Sequence, residues 1–379
     1  MSILTNSVSR SRLARPHCAQ ILCRHVHLGE KAHHQPIEEL LLPRYYERQY
    51  YPVKIGDVFK DQYRLISKLG YGAYSTVWLA WDKRASRYAS LKVCVQDDGT
   101  PESPILNEVA MLRRLKKFAA EEESPGLFFT RLADDIFELH TPSGARHYVI
   151  ASKPQGSSAR VLQEWYPDGG SCQSFLKAEE QESQTPSIPI TPADGRAPVY
   201  PTRQPDIDIT GLPILTDFGQ MRIALEGGNR EWCMPDVYRA PEVVLRLAFS
   251  LDMWSIGVMT LELLEGKNLF NHIDRDNSQY VLPLALAQYI GYLGAPPLEL
   301  IRQSPIFSDY FDKDGKFLHE EIIPQIFLEK FVTTIPPGEE KEQFLRFMQK
   351  LLTWDPEARA NSYEICDDEW LMRPVETLS

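Results

Sequence analysis

The chain has 379 residues, a net charge of −11 at pH 7, an apolar fraction of 43% and a charged fraction of 25%. These are ordinary values for a globular protein of two domains or one bilobed domain, and the acidic balance argues against a general nucleic-acid binder. The six cysteines include no Cys-x-x-Cys pair, so neither a zinc site nor a disulfide framework is indicated, and a reducing compartment is favoured. No apolar run reaches the ~18 residues of a membrane span. We therefore expect a soluble monomer without membrane or direct nucleic-acid contacts.

Residues 1–50 are predicted to form a basic, disordered leader. Four arginines precede residue 25, and no acidic residue occurs before Glu30. This composition is typical of a mitochondrial transit peptide, and a disordered leader without a targeting role fits it equally well. The folded region is predicted to begin near "YYPVKIGDVF".

The stretch over residues 51–155 is predicted to be β-rich with one helix. "YRLISKLGYGAYSTVWLAWD" consists of two β-branched and aromatic runs around a glycine-containing loop, which predicts a hairpin. "YASLKVCV" and "GARHYVIAS" are typical of further strands. Between them, "PILNEVAMLRRLKKFAAEEE" has apolar residues at helical spacing, which predicts an amphipathic helix.

The next stretch has a different composition. Residues 154–205 are rich in Ser, Pro, Gly and Gln and show little sustained periodicity. Within them, "TPSIPITPADGRAPVYPTRQP" is predicted to be loop-like, and a Pro/Ser-rich spacer is predicted over 156–210. From 211 to 372 the chain is predicted to be mainly helical. "SLDMWSIGVMTLELLEG" is apolar on nearly every side, which predicts a helix buried in a large core.

Four features in chain order carry the chemistry. Gly70 and Gly72 lie one residue apart in the predicted hairpin, Lys92 lies on the next strand, Glu108 lies on the helix, and Asp217 begins an Asp-Phe-Gly tripeptide. Each alone has an ordinary explanation: a turn, a solvated lysine, an exposed carboxylate or a polar turn. A dinucleotide-binding loop would open a helix, whereas here the glycines precede a β-rich stretch. The same four features occur in this order in protein kinases.

Three further motifs extend that resemblance. "VYRAPEVVL" contains Ala-Pro-Glu, "LDMWSIG" places Asp252 and Gly257 at the family's positions, and "LLTWDPEARA" supplies Arg359, which the resemblance pairs with Glu242. Residues 51–372 therefore resemble a eukaryotic protein kinase. "YYPVKIGDVFKDQYRLISKLGYGAYSTVWLA" is similar to the serine/arginine-protein kinases, especially the fungal ones, which also have Ser for the third glycine and a spacer. The implied fold is α+β and bilobed, with a small β-rich N-lobe and a larger, mainly helical C-lobe that is incomplete here.

The resemblance implies roles for individual residues toward ATP and Mg²⁺. Lys92 would hold the α- and β-phosphates, Glu108 would orient Lys92, and Asp217 would coordinate the magnesium ion. Ser90 stands where the family has Ala against the adenine. Nine residues would form the lid over ATP: Leu69, Gly70, Tyr71, Gly72, Ala73, Tyr74, Ser75, Thr76 and Val77.

The catalytic loop of a kinase is missing from the sequence. That loop has the form His-Arg-Asp-x-x-x-x-Asn and precedes Asp-Phe-Gly. No histidine occurs between His147 and His272, and no asparagine occurs between Asn107 and Asn229. The helix that precedes the loop in the family is also missing, with an apparent seam at 169–171. No catalytic residue can be named, because Asp206 and Asp208 are better explained as an exposed loop pair. The missing segment would also deprive the apolar "WSIGVMTLELL" helix of a packing neighbour.

Three hypotheses follow. In the first, an alternative transcript or an error in the gene model removed the loop, and the complete protein transfers the γ-phosphate of ATP to serine in basic Arg/Ser-rich proteins. In the second, the chain is a pseudokinase that binds nucleotide or acts as a scaffold. In the third, it is a structural α+β protein with coincidental motifs. Family analogy implies the cytoplasm and nucleus, while the leader leaves mitochondria open.

Overall fold

The computed structural model describes residues 37–97, 99–100, 103–154, 172–192, 196–203, 214–223, 232–247, 253–274 and 279–373. They fall into two compact units, one within residues 27–222 and the other within residues 223–379. Several features of the sequence lie outside the described residues: the leader up to residue 36, the seam at 169–171, Asp206, Asp208 and Asp252. Within the described ranges no helix is long and apolar enough to cross a membrane.

A six-stranded antiparallel sheet forms the centre of the first unit. Its strands are β1 (Val58–Phe59), β2 (Tyr63–Gly72), β3 (Ser75–Asp82), β4 (Arg87–Cys94), β5 (Asp135–His140) and β6 (Arg146–Ser152). Their spatial order is β1-β2-β3-β4-β6-β5. The predicted hairpin is confirmed, since β2 and β3 pair from Gly72 opposite Ser75 outwards. Both glycines lie at the end of β2, and Ala73 and Tyr74 form the turn.

In the described part of the unit three helices accompany the sheet: α1 (Pro43–Tyr46), α2 (Pro104–Glu121) and α3 (Cys172–Gln184). Short 3₁₀ turns cover Glu38–Leu41, Pro125–Phe129 and Phe218–Gln220. The prediction of a disordered leader over 1–50 is wrong for its last residues, because Tyr45 and Tyr50 are buried in the cluster that contains Ile105. The predicted amphipathic helix is α2. Its first turn is capped by the Ser103 side chain, which accepts a hydrogen bond from the Leu106 amide, and Pro104 occupies a position where its missing N–H costs nothing. The apolar face of α2 is buried through Ile105, Val109 and Leu112.

Helix α3 was not predicted, because the sequence over 154–205 shows little sustained periodicity, and it ends just before the segment predicted to be loop-like. This helix packs on the sheet, where Ala178 is buried with Ile66 and Leu79, and Glu179 pairs with Arg64 at 2.9 Å. Leu, Lys, Ala, Glu and Gln favour helices, and burial of one face supplies the stability that a short isolated helix lacks. The Pro-rich residues after α3 contain no regular strand within the described range, only an isolated bridge between Ile190 and Val199.

The second unit is mainly helical. Its helices are α4 (Pro241–Val244), α5 (Met253–Glu265), α6 (Leu282–Leu293), α7 (Leu298–Ile301), α8 (Phe307–Tyr310), α9 (Leu328–Phe331), α10 (Glu339–Leu351) and α11 (Ser362–Cys366). A two-stranded ribbon joins β7 (Ile273–Asp274) to β8 (Gln279–Tyr280), and 3₁₀ turns cover Asp236–Tyr238 and Glu320–Ile322. The core is built around Trp254, whose ring stacks on Phe270 at 5.8 Å. One β-rich unit and one mainly helical unit confirm the predicted α+β class.

Helix α5 carries the segment predicted to be buried on all sides. One face is buried in the core through Trp254, Gly257, Val258 and Leu261. The opposite face leaves Ile256, Met259 and Leu263 exposed by 44%, 45% and 77%, so the prediction is wrong for this α5 stripe. Exposed apolar side chains at helical spacing are what the loss of a packing neighbour would leave.

Candidate functional site

A small cavity of about 60 Å³ opens in the first unit. Strands β3, β4 and β6, helix α2 and the Asp-Phe-Gly segment all contribute to its wall. The lining residues are Val77, Ser90, Lys92, Glu108, Leu112, Arg131, Leu132, Ala133, Ile150, Ser152, Thr216, Asp217 and Phe218. Three of the residues predicted to contact ATP and metal, Lys92, Glu108 and Asp217, therefore lie together on this cavity.

Lys92 and Glu108 form the central ion pair of the cavity. Strand β4 presents Lys92 opposite Val77 of β3, and α2 presents Glu108 from its buried face. The Lys92 Nζ donates hydrogen bonds to both Glu108 carboxylate oxygens, at 2.8 and 2.7 Å. Burial alone would lower the pKa of Lys92, but the carboxylates of Glu108 and Asp217 outweigh it and raise that pKa. Burial raises the pKa of Glu108 despite the attraction of Lys92. The lysine is therefore a fixed, positively charged donor.

Asp217 occupies the mouth of the cavity. The chain reaches it through a parallel bridge between Leu215 and Thr130, and Asp217 then adopts a left-handed backbone with φ of 64°. Its Oδ1 lies 3.3 Å from the Lys92 Nζ, while 76% of the side chain stays exposed. The next residue, Phe218, is 4% exposed. The buried phenyl ring thus anchors the segment, and the neighbouring carboxylate faces outward with unused oxygen lone pairs.

The glycine-rich hairpin contributes one predicted lid residue, Val77, to the cavity wall. Leu69 packs instead against the cluster under α3, and Tyr74 lies beneath the Arg44 guanidinium at 4.4 Å. At Gly70 and Gly72 an added Cβ would meet no atom of the described residues within 4 Å. The described part of the chain therefore supplies no steric reason for either glycine.

Sequence reasoning did not assign Arg131 or Ser152 to the site. The Arg131 Nε donates to the Ser152 Oγ at 2.9 Å, and burial lowers the pKa of Arg131. Ser152 is paired with Ser90 across β4 and β6, so two small hydroxyl residues line the back of the cavity. No local motif marks these positions, because strand pairing brings Ser152 to Ser90 and a side-chain hydrogen bond brings Arg131 to Ser152.

The site residues fit a divalent metal held together with a phosphorylated ligand. Among the described residues no group of three or more His, Cys, Asp or Glu side chains could hold a metal by itself. Mg²⁺ is commonly bound by one or two carboxylates plus substrate phosphates rather than by an all-protein cage. The exposed Asp217 carboxylate beside the Lys92 ammonium provides such a half-site.

A catalytic base is not found on the described cavity wall. Its two carboxylates are Glu108 and Asp217, and both contact Lys92. Asp206 and Asp208, the two aspartates that the sequence offers as candidate bases, lie outside the described residues.

The motifs of the second unit are explained by packing. Arg359 and Glu242 form two hydrogen bonds of 2.7 and 2.9 Å, and their side chains are 4% and 1% exposed. A Cβ at Gly257 would lie 3.0 Å from the Leu351 Cβ, so α5 needs a glycine where α10 crosses it. The pairing implied by the resemblance is confirmed.

Comparison with known proteins agrees with this geometry. The protein kinase domain family matches residues 207–371. A serine/threonine protein kinase of Aspergillus fumigatus is 30% identical over 369 residues, covering 89% of this chain and 91% of that protein. A serine/threonine-protein kinase SRPK of Physarum polycephalum is 24% identical over 85% of this chain and 88% of its own. SRSF protein kinase 3 of Mus musculus is 45% identical over 64 residues, 17% of this chain and 11% of that protein.

The fungal relative has extra residues within the stretch that it shares with this chain. Since 89% of a 379-residue chain is fewer than 369 residues, the fungal relative carries residues in the matched stretch where this chain has none.

Kinases use ATP and a divalent metal, and the described site has the groups for both. The chain belongs to the eukaryotic protein kinase family, as a member that resembles the SR protein kinases.

Proposed function

We propose that the chain binds ATP together with Mg²⁺ in the cavity of the first unit. The observation that carries the proposal is the triad in which the Lys92 Nζ lies 2.7 Å from Glu108 and 3.3 Å from Asp217. Lys92 would bind the α- and β-phosphates, Glu108 would hold Lys92 in place, and Asp217 would bind the metal. The bound metal would neutralise charge on the phosphates.

The glycine-rich hairpin supports this assignment. Glycines cost backbone entropy in a strand, and no packing contact within the described residues requires Gly70 or Gly72. A phosphate group that approaches the backbone closely would supply one, because the absent Cβ atoms leave room and the amide N–H groups can face the phosphate oxygens. The hairpin tip is held in place by the Tyr50 hydroxyl, which donates to the Gly72 carbonyl at 2.8 Å.

We propose that the complete form of this lineage transfers the γ-phosphate to serine in Arg/Ser-rich proteins. The names of the relatives in Physarum and mouse support that substrate class, and the net charge of −11 suits a basic partner. Transfer also requires a residue that positions the substrate hydroxyl and accepts its proton.

The second candidate function is that of a pseudokinase. The lack of any His-Arg-Asp-type loop in the sequence favours it, since general base catalysis alone contributes about 10²–10⁴-fold in rate. Both candidates use the same nucleotide site, so nucleotide binding and phosphate transfer must be measured separately.

The test uses the purified 379-residue chain. Thermal unfolding is followed with and without Mg-ATP, and ³²P transfer from γ-labelled ATP is measured on an Arg/Ser-rich peptide. The proposed site predicts stabilisation by Mg-ATP that Asp217→Ala removes and that Asp314→Ala, a change at an exposed aspartate of the second unit, leaves unchanged. Stabilisation without transfer supports the pseudokinase. A cooperative unfolding transition that is indifferent to Mg-ATP would refute nucleotide binding.

A further inference from the structure

Asn107, immediately before Glu108 on α2, bonds directly to the Asp-Phe-Gly segment. Its Nδ2 lies 2.9 Å from the Gly219 carbonyl oxygen, 3.0 Å from that of Met221 and 3.4 Å from that of Phe218. Among the described side chains, the Arg222 guanidinium also donates to the Met221 carbonyl, at 3.3 Å. One amide group on α2 therefore spans the turn that follows Asp217.

The chemistry of the contact determines how the amide is oriented. Carbonyl oxygens only accept hydrogen bonds, whereas an asparagine amide has one donating and one accepting end. Only the NH₂ end can face a cluster of carbonyl oxygens. An aspartate at position 107 would have the same size but would place negative charge against all of these acceptors.

Two other contacts dock the same segment on α2. Phe218 belongs to the buried cluster that contains Ile105 and Val109. A Cβ at Gly219 would lie 3.2 Å from the Pro104 backbone oxygen, so the glycine lets the segment lie close against the first turn of α2. Asn107 adds directional hydrogen bonds to this apolar docking.

We propose that Asn107 is a positioning residue that locks the Asp-Phe-Gly segment onto α2 and so holds Asp217 beside Lys92. Residues 107 and 108 then act as a pair on one helix. Glu108 fixes the lysine side chain, and Asn107 fixes the backbone that carries the metal-binding carboxylate. Because Asp217 is 76% exposed and touches protein mainly through Lys92, its position depends on the backbone that follows it. The inference rests on the proposed Mg-ATP site.

The first test measures nucleotide affinity in the presence of Mg²⁺ and in the presence of EDTA. A fluorescent ATP analogue is titrated into the full chain and into Asn107→Ala, Asn107→Asp and Arg114→Ala, the last being an exposed residue of the same helix. For Asn107→Ala we expect the affinity gain from Mg²⁺ to fall about tenfold, which corresponds to about 1.4 kcal/mol or one to two net hydrogen bonds. Asn107→Asp should lose at least as much, and Arg114→Ala should change less than about twofold.

This readout separates positioning from a general structural role. A loss of fold would weaken binding equally with and without the metal, whereas misplacement of Asp217 lowers only the metal-dependent gain. In an Asp217→Ala background, Asn107→Ala should have no further effect on that gain. An unchanged gain in folded Asn107→Ala would overturn the proposal.

The second test does not need a nucleotide. Amide hydrogen exchange in the peptide that covers residues 214–222 is compared between ligand-free wild type and Asn107→Ala. Faster exchange in the variant, with Arg114→Ala unchanged, is expected if Asn107 locks the segment, and equal exchange would overturn the proposal. If the wild type binds no nucleotide while exchange still accelerates, then the proposed ATP site has failed and the lock itself stands.

Discussion

Arg359→Met is expected to destabilise the second unit strongly. The change keeps the aliphatic bulk but leaves the Glu242 carboxylate, which is 1% exposed, without its cation. It also removes a hydrogen bond from Arg359 to the Thr353 carbonyl at 3.1 Å. Breaking a buried ion pair from one side costs about 3–5 kcal/mol, a large part of a typical domain stability of about 5–15 kcal/mol.

The chain offers a matched control for this prediction. Arg346 and Glu369 form an Arg–Glu pair at 3.0 Å whose side chains are 53% and 59% exposed. Arg346→Met should cost about 0–1 kcal/mol, because solvent screens exposed ion pairs. The double variant Glu242→Met with Arg359→Met should recover part of the loss, since no unpaired charge remains buried.

Urea unfolding of the full chain, followed by circular dichroism, measures all three variants. The fall in the urea midpoint for Arg359→Met should exceed the fall for Arg346→Met several-fold. Equal effects of the two single changes would refute it, because burial would then not determine the cost.

Three further predictions concern other parts of the fold. Lys68→Met should cost about 3–5 kcal/mol in urea unfolding, because the Lys68 Nζ lies 2.5 Å from two largely buried carboxylates; a cost below about 1 kcal/mol would contradict this. On α5, Leu263→Ala should change the free energy of unfolding by no more than about 0.5 kcal/mol. Leu261 is fully buried, so Leu261→Ala should cost about 2–5 kcal/mol. Similar costs for the two variants would show that the α5 stripe is covered in solution. Burial alone would raise the pKa of Glu265, but hydrogen bonds from Thr333 and Thr334 lower it to about 2. The ionised Glu265 therefore stabilises the fold above about pH 4.5, and this stabilisation is lost as the pH falls toward about 2. The free energy of unfolding of wild type should exceed that of Glu265→Gln by an amount that shrinks between these pH values and is constant above them.

The site could be predicted where its chemistry lies in short motifs. Lys92, Glu108 and Asp217 were identified by residue type and order along the chain. In the structure the Lys92 Nζ lies within 3.3 Å of a carboxylate oxygen of each of the other two. The hairpin and α2 followed from apolar periodicity, which reports the face that each element buries. The boundaries proposed for the lobes and the spacer stay predictions.

The sequence by itself determined the family, the strand and helix that carry the ion pair, and the lack of a catalytic loop, because each depends on residues close together in the chain. Only the tertiary structure decided that α3 is a helix on the sheet, that the α5 stripe is exposed, and that Arg131 and Ser152 line the cavity. It alone also placed Asn107 on the Asp-Phe-Gly segment, 111 to 114 residues away. These features depend on contacts between distant segments, and no local propensity or spacing encodes which segments will meet.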